Sequence, residues 1–234
     1  MQRACITGTG HYVPPSVMTN EELARKLGSS VSPAAIERTT GIQERRVVRE
    51  EGVGASGLGR EAATRALDAA GLEPEDIDCI VFATVTPDQL VPGSGVLLQR
   101  QLGISERGIP AFDIRNQCSG FLYGLQMAES FICAGRAERV LLVGAELHSA
   151  TFEFNDRGRS FAVLFGDGAG AAVLEAAGPG ESRGISGLRL HSDGRFSDQI
   201  CLAAPGTRFI PYLRPEHMEK GLTFPTLDGP LVFK

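Results

Sequence analysis

The feature that most constrains the fold is the stretch from Ala111 to Gly135, AFDIRNQCSGFLYGLQMAESFICAG. It begins with a short apolar run, residues 111–114, which is typical of a buried strand. From Phe121 to Ile132 apolar residues recur at steps of three and four, which is the helical period. Gly135 stands where a left-handed cap would end that helix. The pattern predicts a strand, a tight turn and a helix, with Cys118 in the turn.

Of the two cysteines in this stretch, Cys118 is the one at the predicted start of the helix. At a helix N-terminus, the unpaired backbone N–H groups and the helix dipole favour a thiolate over a thiol. A thiolate placed there is a good nucleophile, and the neighbouring N–H groups can hold an oxyanion. A small buried cysteine that packs like a hydrophobic residue is the alternative that spacing alone leaves open.

The rest of the first 176 residues alternates between strand and helix patterns. Residues 78–85 and 139–145 are nearly continuous apolar runs, which suit strands buried on both faces. Residues 59–70 and 96–102 have apolar side chains at helical spacing. This alternation predicts βαβ units in a layered α/β domain. Ligand sites in such sheets lie beyond the carboxyl ends of the strands, which is where Cys118 falls.

Glycine and capping residues add local predictions. Residues 5–10, CITGTG, predict a first strand that runs into a glycine turn, and Thr19 with Glu22 has the form of a capping box that opens a helix. Residues 161–175, FAVLFGDGAGAAVLE, predict two strands around a glycine-rich turn. A strand follows these glycines where a nucleotide fingerprint needs a helix, so they indicate close backbone packing.

Composition and charge exclude several classes of protein. The net charge is −5, which gives no electrostatic reason to expect nucleic acid, and no apolar run is long enough for a membrane span. The five cysteines show neither a CxxC pair nor a His/Cys ligand spacing, so we expect no metal and no disulfide framework. A cytoplasmic protein with reduced thiols is the prediction.

Two segments have a different character. Residues 40–46, TGIQERR, are basic for so acidic a chain, and charge alone favours a solvated loop. Residues 179–234 are rich in glycine and proline and show no clear periodicity. We therefore predict a boundary near residue 178, with a layered domain over 1–178 and an irregular segment over 179–234.

Several motifs, in this order, resemble those of β-ketoacyl-ACP synthase III, a family of the thiolase superfamily. The chain's opening and its last residues resemble that family as well. The matching pieces are GTGHYVP at 8–14, TNEEL at 19–23, TGI with Arg45 and Arg46, residues 113–120 around Cys118, FGDGAGA at 165–171, and residues 228–234.

The resemblance implies a duplicated α/β repeat in a five-layered αβαβα fold that works as a homodimer. Residues 1–178 would be the first repeat, and residues 179–234 would lead into a second repeat largely missing from this chain. Cys118 would take an acyl group from acyl-CoA or acyl-ACP, and the acyl-enzyme would condense with malonyl-ACP after decarboxylation. Acyl carrier protein is then a partner, and the thioester substrates need no cofactor or metal. The histidine and asparagine that support decarboxylation would lie in the second repeat.

The resemblance also implies binding residues. Arg159 matches an arginine that the family uses on the CoA nucleotide, although Arg157 is an alternative two residues away. Ala35 stands where the family often has a tryptophan that stacks on the adenine, and Thr39 replaces an expected arginine, for which the adjacent Arg38 could substitute. These departures make an acyl-ACP donor plausible.

Arg45, in the arginine-rich match, and Val91 complete the predicted site. The segment Leu90-Val91-Pro92 would line an acyl pocket, that of the partner subunit, and valine would leave room for medium or longer chains. Other functions stay open at this point. They are starter loading in secondary metabolism, head-to-head condensation of two acyl chains, and a fragment that acts only as a scaffold.

Overall fold

The computed structural model describes residues 3–28, 31–178, 180–185 and 187–232. The chain folds into two compact units that alternate along the sequence. The first unit comes from the described parts of 1–14, 49–147 and 167–190, and the second from those of 15–48, 148–166 and 191–234.

The strands and α-helices are separated by short turns, several of them 3₁₀ turns. In chain order they are β1 Ala4–Tyr12, β2 Val17–Thr19, α1 Asn20–Leu27, α2 Pro33–Thr40, β3 Glu44–Arg46, α3 Ala55–Ala70, β4 Cys79–Ala83, α4 Ser94–Gln101, β5 Ala111–Ile114, α5 Gly120–Cys133, β6 Arg139–Leu147, α6 Arg159–Ala162, β7 Asp167–Ala176, β8 Ile200–Cys201, α7 Pro215–Glu219, β9 Thr226–Leu227 and α8 Gly229–Val232.

The first unit is built on a mixed five-stranded sheet in the order β1-β7-β6-β4-β5. β4 runs parallel to both β5 and β6, while β7 is antiparallel to β1 and to β6. Every residue of β4 is buried, which confirms the prediction of a central parallel strand. The carboxyl ends of β4, β5 and β6 therefore meet at one edge of the sheet.

Helices cover both faces of this sheet. Neighbouring residues of a strand point to opposite sides, so Val143 of β6 contacts α3 while Leu142 contacts α5. On one face α3 packs closely, and a Cβ atom at Gly59 would lie 2.7 Å from the Phe82 ring and 3.1 Å from a Val143 methyl. On the other face α5 packs closely, and a Cβ atom at Gly124 would lie 2.4 Å from a Leu142 methyl. The result is the predicted layered arrangement of helix, sheet and helix.

Two glycines of β1 bring α3 unusually close to the sheet. A Cβ atom at Gly8 would lie 2.2 Å from the carbonyl oxygen of Ala66, and one at Gly10 would lie 2.2 Å from that of Ala62. Both glycines lie inside β1, so the prediction of a turn there was wrong. Their function is to let a helix backbone pack directly on a strand.

The second unit has a smaller core in which α1 and α2 contribute to an apolar cluster with Phe152 and Phe161. The predicted helix start is confirmed with Thr19 as its N-cap, because the Thr19 hydroxyl accepts a hydrogen bond from the N–H of Glu22 at 3.2 Å. The two-strand prediction for 161–175 was wrong. Helix α6 takes up its beginning, and Gly168 and Gly170 lie inside the single strand β7.

The C-terminal part of the second unit has little regular structure. Among the described residues from 191 to 232, no helix or strand is longer than the five residues of α7. Across the described chain, no helix combines the length and apolar character that crossing a bilayer requires.

Candidate active site

Cys118 lies between a strand and a helix, where the sequence pattern predicted it. β5 ends at Ile114, residues 117–119 form a single 3₁₀ turn, and α5 begins at Gly120. Cys118 is exposed. The thiol therefore stands at the carboxyl edge of the parallel strands, open to a substrate that approaches the sheet from that side.

The turn that carries Cys118 has an unusual backbone. Gln117 has a φ of +45°, and among the described residues it is the one non-glycine residue with a positive φ. Such a conformation costs about 1 to 2 kcal/mol for a residue with a side chain. Across the turn, the Asn116 amide donates to the Ser119 hydroxyl oxygen at 3.1 Å, which stabilises it locally. Backbone strain of this kind is common at active sites, where a reactive side chain must be held in a fixed position.

Helix α5 is anchored at both ends. At its start, buried Gly120 lies so close to the sheet that a Cβ would be 3.3 Å from the Ala83 methyl. At its end, the backbone N–H of Arg136 donates to the Phe131 carbonyl at 2.8 Å, and the N–H of Gly135 donates to the Ile132 carbonyl at 3.0 Å. These two hydrogen bonds form a Schellman motif with Gly135 in the left-handed conformation, so the predicted cap is confirmed.

The other cysteines lie in different environments. Cys5 and Cys79 are buried, whereas Cys133 and Cys201 are partly buried. Burial raises the pKa of the Cys79 thiol to about 11, with a smaller contribution from the Asp78 carboxylate. Burial also raises the pKa of Cys5.

We expect these environments to set the order of alkylation in the native protein. A thiol with a pKa of about 11 is only about one thousandth thiolate at pH 8, and the thiolate is the reactive form. Iodoacetamide at pH 8, followed by peptide mass spectrometry, should label Cys118 first. Cys5 and Cys79 should be labelled only after denaturation. Labelling of Cys79 at the rate of Cys118 in the folded protein would contradict the described burial.

The second unit contains a cavity of about 530 Å³ that brings three of the singled-out positions together. These are Ala35, Thr39 and Arg159. Aliphatic and hydroxyl side chains make up the rest of the lining, which consists of Val31, Ile36, Thr40, Ser160, Val163, Leu164, Leu227 and Gly229. Arg159 is the one charged residue among the described residues of this lining, and the Asp156 carboxylate lies 3.7 Å from its guanidinium. The cavity thus offers one half-exposed guanidinium beside apolar walls.

The structure separates Arg159 from its alternative, Arg157. The Arg157 guanidinium is paired with the carboxylate of Glu153, with Nε 2.7 Å from Oε2, and this hydrogen bond lowers the pKa of Glu153. The guanidinium also packs against Gly221 so closely that a side chain there would overlap it. Arg157 therefore holds two parts of the second unit together, while Arg159 faces the cavity.

Arg45 and Arg38 occupy contrasting positions. Arg45 is only 5% exposed, so the expectation of a solvated loop was wrong for this residue. Its Nη2 donates to the Asn20 side-chain oxygen at 3.0 Å and to the Val163 carbonyl at 3.2 Å, and burial lowers the pKa of its guanidinium. Arg38 is exposed in α2 and is not among the residues that line the cavity. A role of either residue toward a ligand stays a prediction.

Val91 lies in the loop between β4 and α4 and is 83% exposed in the single chain. His217, in contrast, is buried, with its ring centroid 4.3 Å from that of Phe209. Its Nδ1 lies 3.3 Å from the Arg214 backbone nitrogen and its Nε2 lies 3.3 Å from Arg214 Nε. Within the described part of the chain, no cluster of His, Cys, Asp and Glu side chains could hold a metal ion.

Comparison with known proteins identifies close relatives. Residues 112–194 match the family model described as 3-oxoacyl-[acyl-carrier-protein (ACP)] synthase III. The chain is 40% identical over 235 residues to the beta-ketoacyl-[acyl-carrier-protein] synthase III of Laribacter hongkongensis (strain HLHK9), and the match covers all of this chain and 68% of that protein.

Solved structures give the same result. The 3-oxoacyl-[acyl-carrier-protein] synthase III of Aquifex aeolicus VF5 is 34% identical with a TM-score of 0.82, over 100% of this chain and 66% of that one. The enzyme of the same name from Pseudomonas aeruginosa PAO1 is 35% identical with a TM-score of 0.83, over 99% and 66%. The chain thus spans about two thirds of the length of these relatives, and the likeness confirms the predicted fold class.

Proposed function

Since this chain belongs to the β-ketoacyl-ACP synthase III family of acyltransferases, we propose that the protein containing it condenses an acyl thioester with malonyl-ACP through an acyl-cysteine at Cys118. The observation that supports this most is the exposed Cys118 thiol on a strained turn at the start of α5, beside the carboxyl ends of three parallel strands. That position combines access, a helix N-terminus and a rigid support.

The proposed reaction has two half-reactions. In the first, the Cys118 thiolate attacks the carbonyl carbon of the donor, the bond from that carbon to the donor sulfur breaks, and the carrier thiol leaves with a proton. N–H groups at the start of α5 are suited to hold the oxyanion of the tetrahedral intermediate. In the second, malonyl-ACP loses CO₂, the resulting enolate carbon attacks the acyl carbon, and the Cys118 thiolate is released. His217 is only 2% exposed and its ring packs against that of Phe209, so it is not open to a substrate in this step.

The cavity around Arg159 is our proposed site for the carrier end of the donor. Acyl-CoA and acyl-ACP both carry a phosphopantetheine arm, and a guanidinium binds phosphate through charge-assisted hydrogen bonds. Among the described residues of the lining, none has an aromatic ring on which an adenine could stack. The geometry therefore favours recognition of the phosphate over recognition of the base, and it is compatible with either donor.

Replacing Arg159 with alanine should raise the KM for the acyl donor by about tenfold. A hydrogen bond to a charged group is worth about 1.5 to 3 kcal/mol, and the half-exposed position puts this one at the lower end. The rate of acyl transfer at saturating donor should change little, because Arg159 would not touch the reacting carbon. Arg157→Ala is the matched control and should lower stability with little effect on KM. A larger KM effect in the control would reverse the assignment.

Val91→Phe should shorten the acyl chain that the protein prefers. We propose that Val91 lines the acyl pocket across a homodimer, which fits its exposure in the single chain. Each methylene that can no longer be buried in the pocket costs about 0.8 kcal/mol. The loss of two or three such carbons should change the ratio of acylation rates with long and short donors at least tenfold. Cys118 acylation rates over a series of acyl-CoA lengths measure this. Val96→Phe, at another exposed valine nearby in sequence, should leave the profile unchanged.

One experiment tests the proposed function as a whole. The full-length protein is incubated with acyl-CoA or acyl-ACP, the adduct is located by peptide mass spectrometry, and CO₂ release from malonyl-ACP is then followed. An adduct at Cys118 with CO₂ release supports the proposal. An adduct without CO₂ release would point to transfer or joining of acyl chains without malonyl-ACP. No adduct with either donor would favour a scaffold.

A further inference from the structure

The segment between β4 and α4, residues 84–93, is held in place by three carboxylates, two from neighbouring strands and one from the segment itself. It includes two exposed apolar side chains, Leu90 at 57% and Val91 at 83%. An exposed apolar loop is usually mobile, but this one is fixed near its beginning by Glu146 of β6 and further along by two aspartates. The contacts of Glu146 are the most extensive of the three.

Glu146 binds the beginning of the segment with both carboxylate oxygens. Oε1 accepts the N–H of Val85 at 2.9 Å, and Oε2 accepts the N–H of Thr86 at 3.2 Å and its hydroxyl at 2.7 Å. The Thr86 hydroxyl oxygen in turn accepts the N–H of Leu147 at 2.8 Å. An ionised carboxylate only accepts hydrogen bonds and has capacity for all three of these donors. Charge makes each bond stronger than a neutral one.

Two aspartates fix the rest of the segment at helix N-termini. Asp88 accepts the N–H of Ser56 at 3.0 Å and its hydroxyl at 2.8 Å, which caps α3. Asp113 of β5 accepts the N–H groups of Ser94 at 2.8 Å and Gly95 at 2.7 Å, which caps α4 where the segment ends. Leu90 and Val91 therefore lie on a short span between fixed points.

The beginning of the segment is also connected to the strand that leads to Cys118. Thr84 donates its N–H to the Ile114 carbonyl at 3.1 Å, which extends the pairing of β4 with β5 by one residue. Ile114 is the last residue of β5, and the turn with Cys118 follows it. Glu146, the segment and the Cys118 turn thus all lie at the carboxyl edge of adjacent parallel strands.

We propose that Glu146 is a positioning residue for the acyl site. It fixes residues 84–86 and thereby the place of Leu90 and Val91, so that selectivity for acyl-chain length depends on a carboxylate that does not touch the substrate. This inference rests on the proposed function, because it takes Cys118 as the acylated residue and Val91 as part of the acyl pocket. Nothing in the sequence pattern singles out Glu146, which simply follows an apolar strand.

The test compares Glu146→Gln and Thr86→Val with the unaltered full-length protein. The glutamine amide keeps the size but replaces one acceptor oxygen with a donor. Either the N–H of Val85 then loses its acceptor, or that of Thr86 keeps only its other one, the Thr84 hydroxyl oxygen at 3.1 Å. Thr86→Val removes the hydroxyl from the same contact. We expect hydrogen exchange of residues 84–93 to accelerate at least tenfold in Glu146→Gln. We also expect the ratio of Cys118 acylation rates between the best and next-best donor lengths to shrink at least threefold in both variants.

Glu175→Gln is the matched control. Glu175 of β7 forms an ion pair with Arg139 at 3.2 Å, and Arg139 begins β6, at the opposite end of that strand from Glu146. It should alter neither exchange of 84–93 nor the donor profile. An unchanged donor profile in both test variants, or unchanged exchange in Glu146→Gln, would overturn the proposal, and circular dichroism shows that the variants are folded. If Cys118 is not acylated in the unaltered protein, the proposed function is wrong, and so is the inference about acyl-chain selectivity. The exchange data would still decide whether Glu146 anchors the segment.

Discussion

Replacing Cys118 with alanine is expected to abolish acylation of the protein by either acyl-CoA or acyl-ACP. The thiol is exposed, and alanine removes the one atom that can form the thioester. The fold should persist, because the side chain is small and makes no packing contact that the core depends on. Intact-mass measurement after incubation with donor should show no adduct. No condensation product should form when donor and malonyl-ACP are both supplied.

The matched control for this experiment lies at the far end of α5, the helix that follows Cys118. Cys133 is the last residue of α5, at the opposite end of the helix from Cys118, where the dipole disfavours a thiolate. Cys133→Ala should therefore leave acylation unchanged. An adduct that persists in Cys118→Ala, or one that disappears in Cys133→Ala, would show that the nucleophile has been assigned to the wrong end of the helix.

Replacing Gly10 with alanine is expected to destabilise the protein by about 3 kcal/mol, at the upper end of the usual range for overpacking. The new methyl would lie 2.2 Å from the Ala62 carbonyl oxygen and 2.5 Å from the Ala66 nitrogen. Both are backbone atoms of α3, so no side-chain rotation can relieve the overlap, and the helix must move away from β1. Thermal unfolding should show a midpoint lowered by roughly 6 to 12 °C.

A second glycine in the same sheet provides the control. Gly170 of β7 pairs with His11 of β1, next to Gly10, but a Cβ there would meet nothing within 4 Å. Gly170→Ala should therefore change stability by less than about 1 kcal/mol, because it mainly reduces the freedom of the unfolded chain. Equal losses from the two substitutions would mean that backbone conformation, and not the contact with α3, decides the effect.

Local patterns were enough to predict much of the fold and the position of Cys118 between a strand and a helix. The apolar run at 78–85 predicted the buried β4, the spacing around Ile132 predicted α5, and Gly135 predicted its end. These signals succeed because strand burial, helical period and caps depend on neighbours in the sequence. The position of Cys118 follows from the same neighbours.

Other features depend on contacts between distant residues, which local patterns do not show. Arg45 is buried because Asn20 and Val163 supply oxygens to its guanidinium, although its own segment looks like a charged loop. Gly8 and Gly10 resemble turn residues until α3 is seen to lie on them. Glu146 accepts hydrogen bonds from Val85 and Thr86, which lie about sixty residues earlier in the chain, and its proposed positioning role is visible only from these contacts.

The strand order has a consequence for synthesis on the ribosome. β1 is made before the other strands of its sheet, but among the described strands it pairs with β7 alone, so Ala4 cannot pair until Ala176 has been made. At about 5 to 20 residues per second, that interval is roughly 10 to 30 seconds. During this time the β1 backbone has no strand of its own sheet to bind, and exposed strands of this kind recruit other chains. The glycines that admit α3 also make β1 a weak strand former, which limits such pairing until β7 emerges.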